Sequence, residues 1–84
     1  MSPLGEAILR ALAEEGAPVS LPRLSKRLGQ SGSAVLREMS FLGDAVIGGQ
    51  SGPGWVRVWQ EDGRWMAALT EAGWAYLAAN TPEK

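Results

Sequence analysis

The chain has 84 residues, enough for one small domain (residues 1–84), and a domain of this size buries only about 60 to 65% of its unfolded surface. Its composition of 45% hydrophobic and 20% charged residues is typical of a folded globular protein rather than a disordered one. The absence of cysteine and histidine excludes disulfides and thiolate metal sites, and it removes the commonest general base. We therefore expect a protein with no enzymatic activity and no cofactor.

The formal net charge is −1, but the charge is unevenly distributed. Residues 20–43 contain Arg23, Lys26, Arg27 and Arg37 against Glu38 alone, a local net charge of +3. No apolar run approaches the roughly 18 to 20 residues that cross a bilayer, and the N-terminus lacks the pattern of a signal peptide. We expect a cytoplasmic protein that does not contact a membrane.

The first helix is predicted over about residues 3–15. Ser2 is a good N-cap and Pro3 is tolerated in the first turn, while Gly16 is the kind of residue that follows a helix end. Helical spacing relates the apolar residues Leu4, Ile8, Ala11 and Leu12. Residues 17–19 are predicted to be a short extended link because Pro18 disfavours helix for itself and its predecessor.

Two short helices follow, separated by a glycine. Leu21, Leu24 and Leu28 share one face of a second helix over about residues 21–28, which Ser20 caps and Gly29 ends. Ser31 caps a third helix over about residues 32–42, whose predicted buried stripe consists of Val35, Met39 and Leu42. Two short helices joined by a tight turn that contains glycine match a helix-turn-helix.

A glycine-rich connection over residues 43–54 is predicted to be flexible, with Val46–Ile47 as the start of a strand. A hairpin over about residues 55–69 follows, because Asp62-Gly63 is a strong two-residue turn signal. That turn pairs Gln60 with Trp65 and Val58 with Ala67. The face assigned to the core consists of Val56, Val58, Trp65, Ala67 and Leu69, and the opposite face consists of Trp55, Arg57, Trp59 and Met66. A three-residue loop would shift the pairing by one and group three tryptophans together.

The last helix is predicted over about residues 71–79. Thr70 is its N-cap, and Glu71 lies at the positive end of the helix dipole. Its predicted apolar stripe consists of Trp74, Leu77 and Ala78, and Asn80 and Pro82 are expected to end it.

Two segments resemble those of a known class of proteins. Residues 24–42, LSKRLGQSGSAVLREMSFL, resemble the helix-turn-helix of MarR-, ArsR- and PadR-type regulators, and ALTEAGWAYLAAN is similar to the segment with which those proteins close the last wing strand and open the final helix. The resemblance covers about residues 4–79. It implies an α+β winged helix-turn-helix fold, with a three-helix core, a two-stranded wing hairpin and a C-terminal helix. It also implies a small transcriptional regulator that binds double-stranded DNA, with helix 3 in the major groove.

Nine residues are candidates for DNA contact. Cations of helix 2 and of the hairpin tip would contact phosphates, an outward arginine of helix 3 can bond guanine, and small hydroxyl side chains let the helix approach the groove. The candidates are Arg23, Lys26, Arg27, Ser31, Ser33, Leu36, Arg37, Ser40 and Arg64. An apolar Leu36 could touch a thymine methyl, or it could pack against the wing or a partner protein. The cations of helix 2 could equally form a solvated surface.

The aromatic residues support an alternative function. A winged-helix domain could instead bind another protein through an apolar surface of Leu36, Phe41, Trp55, Trp59 and Met66. Further apolar residues of the terminal helices, Leu9, Trp74 and Tyr76, suggest a homodimer. A homodimer or protein partner could be bound through Trp55, Trp59, Trp74 and Tyr76.

Overall fold

The computed structural model describes residues 2–43, 46–47 and 50–80, with backbone alone at 46–47 and 50–51. Four helices and five strands follow one another along these residues. They are α1 (Pro3–Glu15), β1 (Val19–Ser20), α2 (Leu21–Leu28), α3 (Gly32–Leu42), β2 (Val46–Ile47), β3 (Gln50–Ser51), β4 (Val56–Glu61), β5 (Arg64–Leu69) and α4 (Glu71–Ala79).

The ends of the helices follow from local chemistry. All four predicted N-caps are confirmed, because in each case the hydroxyl oxygen accepts a hydrogen bond from the amide three residues further on. These caps are Ser2, Ser20, Ser31 and Thr70. Gly16 and Gly29 end α1 and α2 with φ of 66°, a conformation that glycine adopts without steric cost. Asn80 caps the C-terminus of α4 as predicted, whereas Pro82 lies outside the described residues.

The hairpin has the predicted two-residue turn. Asp62 and Gly63 have φ of 54° and 72°, and positive values at both positions are what a type I′ turn requires. Gln60 pairs with Trp65 and Val58 with Ala67, so the register with the three-residue loop is wrong. β1, which was predicted only as an extended link, pairs with β5 to give a three-stranded antiparallel sheet in the order β1-β5-β4.

The connection between α3 and β4 contains a second pair of strands. The strand predicted at Val46–Ile47 is confirmed as β2, which pairs with β3 in an antiparallel arrangement. The flexibility predicted for residues 43–54 lies partly outside the described residues, at 44–45 and 48–49.

The core lies between the helices and one face of the three-stranded sheet. The predicted stripe of α3 is confirmed, and so is the inward face of the hairpin at Val56 and Ala67. The buried hydrophobic residues are Ile8, Leu9, Ala11, Leu12, Val19, Leu24, Val35, Met39, Leu42, Val56, Ala67 and Leu77. The element order and the strand pairing together give the α+β winged helix-turn-helix fold that the resemblance implied.

Several of the predicted burial assignments are wrong. Leu9 is buried rather than available to a partner, because α1 packs against α2, α3, α4 and β5 and is covered on more than one side. Trp74 is 46% exposed and Ala78 is exposed, because α4 instead buries Gly73 and Leu77. Trp65 is 37% exposed rather than in the core. It lies beside the turn, where residues 60–64 are all exposed as well.

Candidate nucleic-acid interface

The turn between α2 and α3 is held by backbone hydrogen bonds. The amide of Gln30 donates to the carbonyl of Ser25 over 3.1 Å, and Gly29 supplies the left-handed residue that this turn requires. Ser31 then caps α3 through a 3.2 Å hydrogen bond from the amide of Ala34. Because Leu24 and Val35 are both buried, the two helices are also fixed by the core. Local chemistry and packing therefore fix the direction of α3 relative to α2.

The exposed surface of α3 contains one arginine, two serines and the aromatic side chain of Phe41. Ser33, Arg37 and Ser40 are exposed, as predicted. Ser40 donates its hydroxyl hydrogen to the carbonyl of Leu36 over 3.0 Å, and the hydroxyls of Ser31 and Ser33 lie 3.3 Å apart. Within the described part of the chain, Arg37 is in none of the ion pairs. None of the carboxylates in that part of the chain therefore neutralises its guanidinium.

Leu36 is not directed outward as predicted. Its side chain is half-buried and packs against the core, because it lies on the side of α3 that faces the hairpin. A cleft of about 480 Å³ separates these two elements, and Leu36 and Ser40 line it together with Val58 and Trp65. Ser40 of α3 and Trp65, the hairpin residue that follows Arg64, thus line the same cleft. The structure thus favours the alternative in which Leu36 packs toward the wing.

The cations of α2 have carboxylate neighbours that the sequence did not indicate. Arg23 and Arg27 each place a guanidinium nitrogen 3.1 Å from Oε2 of Glu15, and Arg27 also pairs with Glu14. These glutamates end α1 and lie 8 to 13 residues before their partners, so no short-range pattern could have revealed the pairs. They reduce the local net charge of the helix-turn-helix from +3 to +1. Lys26 is exposed and, among the residues described, is in none of the ion pairs.

The hairpin carries two exposed arginines. Arg64 directly follows the turn at Asp62 and Gly63 and is exposed. The guanidinium carbon of Arg57 lies 4.6 Å from the centroid of the Trp59 ring, a cation-π arrangement. The indole nitrogen of Trp59 donates to Glu61 over 3.1 Å. Sequence reasoning left Arg57 out of the site, although its spacing of two from Trp59 places both side chains on one face of the strand.

A metal-binding cluster and a membrane-spanning helix are both absent from the described residues. In the ranges 2–43, 46–47 and 50–80, no group of three acidic side chains is placed so that it could hold a metal ion. No helix in this part of the chain is long and apolar enough to span a membrane.

Comparison with solved structures identifies two similar proteins. The first, described as a candidate DNA-binding protein from Ralstonia eutropha JMP134, is 31% identical, with a TM-score of 0.77 over 98% of this chain and 99% of that one. The second is an ArsR family transcriptional regulator, 18% identical, with a TM-score of 0.64 over 93% of this chain and 70% of that one. No protein-family model matches the chain, and no curated protein matches it. At this identity and coverage, the chain belongs to the same family of small winged helix-turn-helix proteins as the Ralstonia eutropha protein.

Proposed function

We propose that this protein is a small transcriptional regulator that binds double-stranded DNA sequence-specifically, with α3 in the major groove and the β4–β5 hairpin as the wing. The observation that carries the proposal is the arrangement of α3 and the hairpin. The capped helix α3 carries an exposed arginine that is unpaired in the described structure, and α3 packs against β4 of a hairpin whose tip carries a second exposed arginine. The relative from Ralstonia eutropha, described as a candidate DNA-binding protein, supports it.

Each group of residues has a distinct role under this proposal. Arg37 would read a guanine through two hydrogen bonds, and Ser33 and Ser40 would allow close approach to the groove. Lys26 and Arg64 would neutralise phosphates, with Arg23 and Arg27 as further cations. Leu36 would contribute through its position in the cleft. The protein would then act in the cytoplasm, and it would need only binding and no catalysis.

A mobility-shift titration with a random duplex at low salt tests DNA binding itself. We expect a shift at micromolar protein, because non-specific binding has dissociation constants of about 10⁻⁴ to 10⁻⁶ M. No shift at tens of micromolar protein would contradict the proposal and favour the protein-binding alternative.

Arg64→Ala tests the wing. We expect weaker binding to every duplex and a salt dependence of log K that is shallower by about 0.9, because one phosphate contact is lost. Arg10→Ala is the matched control, since Arg10 is an exposed arginine of α1 that pairs with Glu6 at 3.2 Å. Equal behaviour of the two variants would remove Arg64 from the interface.

We also propose that the protein forms a homodimer in which α4 lies at the interface. Trp74 is 46% exposed, and a shallow recess beside it is lined by Leu12, Pro18 and Leu69. Two copies could read half-sites about one turn of DNA apart. Sedimentation should show a dimer that Trp74→Ala shifts toward the monomer, with Phe41→Ala as the control for loss of another exposed aromatic residue. A wild-type protein that stays monomeric at high concentration would rule this out.

The alternative of an apolar protein-binding surface has less exposed area than the sequence suggested. Trp55 stacks on Tyr76 with ring centroids 3.8 Å apart, so each of these side chains covers part of the other. Leu36, Trp59 and Met66 are half-buried. Phe41 is the member of the predicted surface that is exposed.

A further inference from the structure

Two glutamates of α1 form ion pairs with the arginines of α2. Glu15 is the central group, because its carboxylate accepts hydrogen bonds from both Arg23 and Arg27 at 3.1 Å. Glu14 bonds the second nitrogen of Arg27. The side chain of Glu15 is only 24% exposed, whereas that of Arg23 is 66% exposed.

A carboxylate and a phosphate make the same demand on an arginine. Both accept charge-assisted hydrogen bonds from the guanidinium, often in the same two-pronged geometry. A phosphate that approaches Arg23 or Arg27 must therefore share or displace the carboxylates, which also repel it. Ion pairs between exposed side chains are individually weak, so displacement is feasible and its cost lowers the affinity for DNA.

From this geometry we propose that Glu14 and Glu15 are determinants of DNA affinity, because they compete with DNA phosphates for Arg23 and Arg27. The inference rests on the proposed function and deepens it. In the described structure these glutamates neutralise two of the four cations of the helix-turn-helix, and Lys26 and Arg37 are the two without a carboxylate partner there. The opposite role, in which the glutamates position the arginines for DNA, predicts the opposite effect of removing them.

The test compares Glu15→Gln with Glu6→Gln in titrations of a random duplex at several salt concentrations. Both substitutions remove one negative charge from an α1 glutamate that is paired with arginine, but Glu6 pairs with Arg10 on the same helix. We expect Glu15→Gln to bind about threefold to tenfold more tightly, and the double variant Glu14→Gln/Glu15→Gln about tenfold or more, with a salt slope steeper by as much as about 0.9 for each freed arginine. Glu6→Gln should stay within about twofold of wild type.

A background that lacks Arg23 and Arg27 shows whether the gain in DNA affinity acts through their ion pairs. In a protein that carries Arg23→Gln and Arg27→Gln, adding Glu14→Gln/Glu15→Gln should give less than half of the gain in log K seen in the wild-type background. An equal gain in both backgrounds would mean that the glutamates act only through net charge, which would overturn the proposal. Unchanged or weaker binding of Glu15→Gln would overturn it as well.

Two measurements separate this inference from the proposed function. Thermal unfolding by circular dichroism establishes that each variant is folded, and Glu14→Gln, at a 65% exposed position, replaces Glu15→Gln if the latter is unstable. The salt concentration at which each variant elutes from a heparin column measures how strongly the freed arginines bind a polyanion other than DNA. If no protein shifts DNA while Glu15→Gln still elutes at higher salt than the charge-matched Glu6→Gln, the competition is supported and DNA is rejected as the ligand. If DNA is shifted and elution does not change, the inference alone fails.

Discussion

Replacement of Gly73 by alanine is expected to lower the free energy of unfolding by about 2 to 3 kcal/mol and Tm by roughly 10 to 20 °C. Gly73 lies in the first turn of α4, and a Cβ atom there would lie 2.2 Å from the carbonyl oxygen of Trp55. The oxygen belongs to the backbone and cannot rotate away. It also accepts the 3.0 Å hydrogen bond from the amide of Thr70, so a shift that relieves the overlap would strain the start of the helix.

Gly32→Ala is the matched control for this substitution. Gly32 also lies in the first turn of a helix, but its added Cβ would meet Leu21 at an ordinary contact distance of 3.8 Å. Alanine has the higher helix propensity, so this variant should be neutral or more stable by up to about 1 kcal/mol. Thermal and urea unfolding of both variants measures the difference. Equal stability would show that α4 can move away from Trp55 at little cost.

Replacement of Arg37 by alanine is expected to cost about 1 to 3 kcal/mol of discrimination between the preferred DNA sequence and others, or about fivefold to 150-fold. Arg37 is exposed on α3 and, in the described structure, has no carboxylate partner, so its removal should leave the stability nearly unchanged. The preferred sequence is first selected from a random pool with the wild-type protein. Competition titrations against random duplex then give the discrimination.

Arg37→Lys separates the charge of this residue from its geometry. Lysine keeps the positive charge but lacks the planar fork that bonds two acceptors of one guanine. This variant should retain most of its affinity for random duplex and lose much of its discrimination. If Arg37→Ala and wild type discriminate equally, Arg37 does not read a base. If both variants lose affinity for all sequences equally, it contacts phosphate.

The hydrogen bonds of the segment that opens α4 explain why a short motif can be informative. The hydroxyl of Thr70 accepts from the amide of Gly73 over 3.1 Å and donates to the carbonyl of Gly54 over 2.6 Å. The motif therefore combines a helix cap with a contact to the residues just before β4. Gly73 has no side chain, which lets the carbonyl group of Trp55 lie close to the first turn of α4. The sequence indicated the cap, but Gly54 and Trp55, which accept hydrogen bonds from Thr70, lie 16 and 15 residues before it and became visible only in the folded chain.

Local chemistry determined much of this protein from the sequence. Ser2, Ser20, Ser31 and Thr70 begin helices, Gly16 and Gly29 end them, and Asp62-Gly63 sets the hairpin register. Each depends on φ preferences or hydrogen bonds within a few residues, which a sequence displays directly.

Only the tertiary structure decided which apolar residues are covered and which charges are paired. Leu9 is buried because α1 packs against several elements, whereas Trp74 is exposed because α4 turns a different face inward, and Trp65 is exposed beside the hairpin turn. Arg23 and Arg27 meet Glu14 and Glu15 because the packing of α1 against α2 places the ends of the two helices together. Coverage and charge pairing depend on distances between elements that are remote in the chain, and no local pattern of residues encodes those distances.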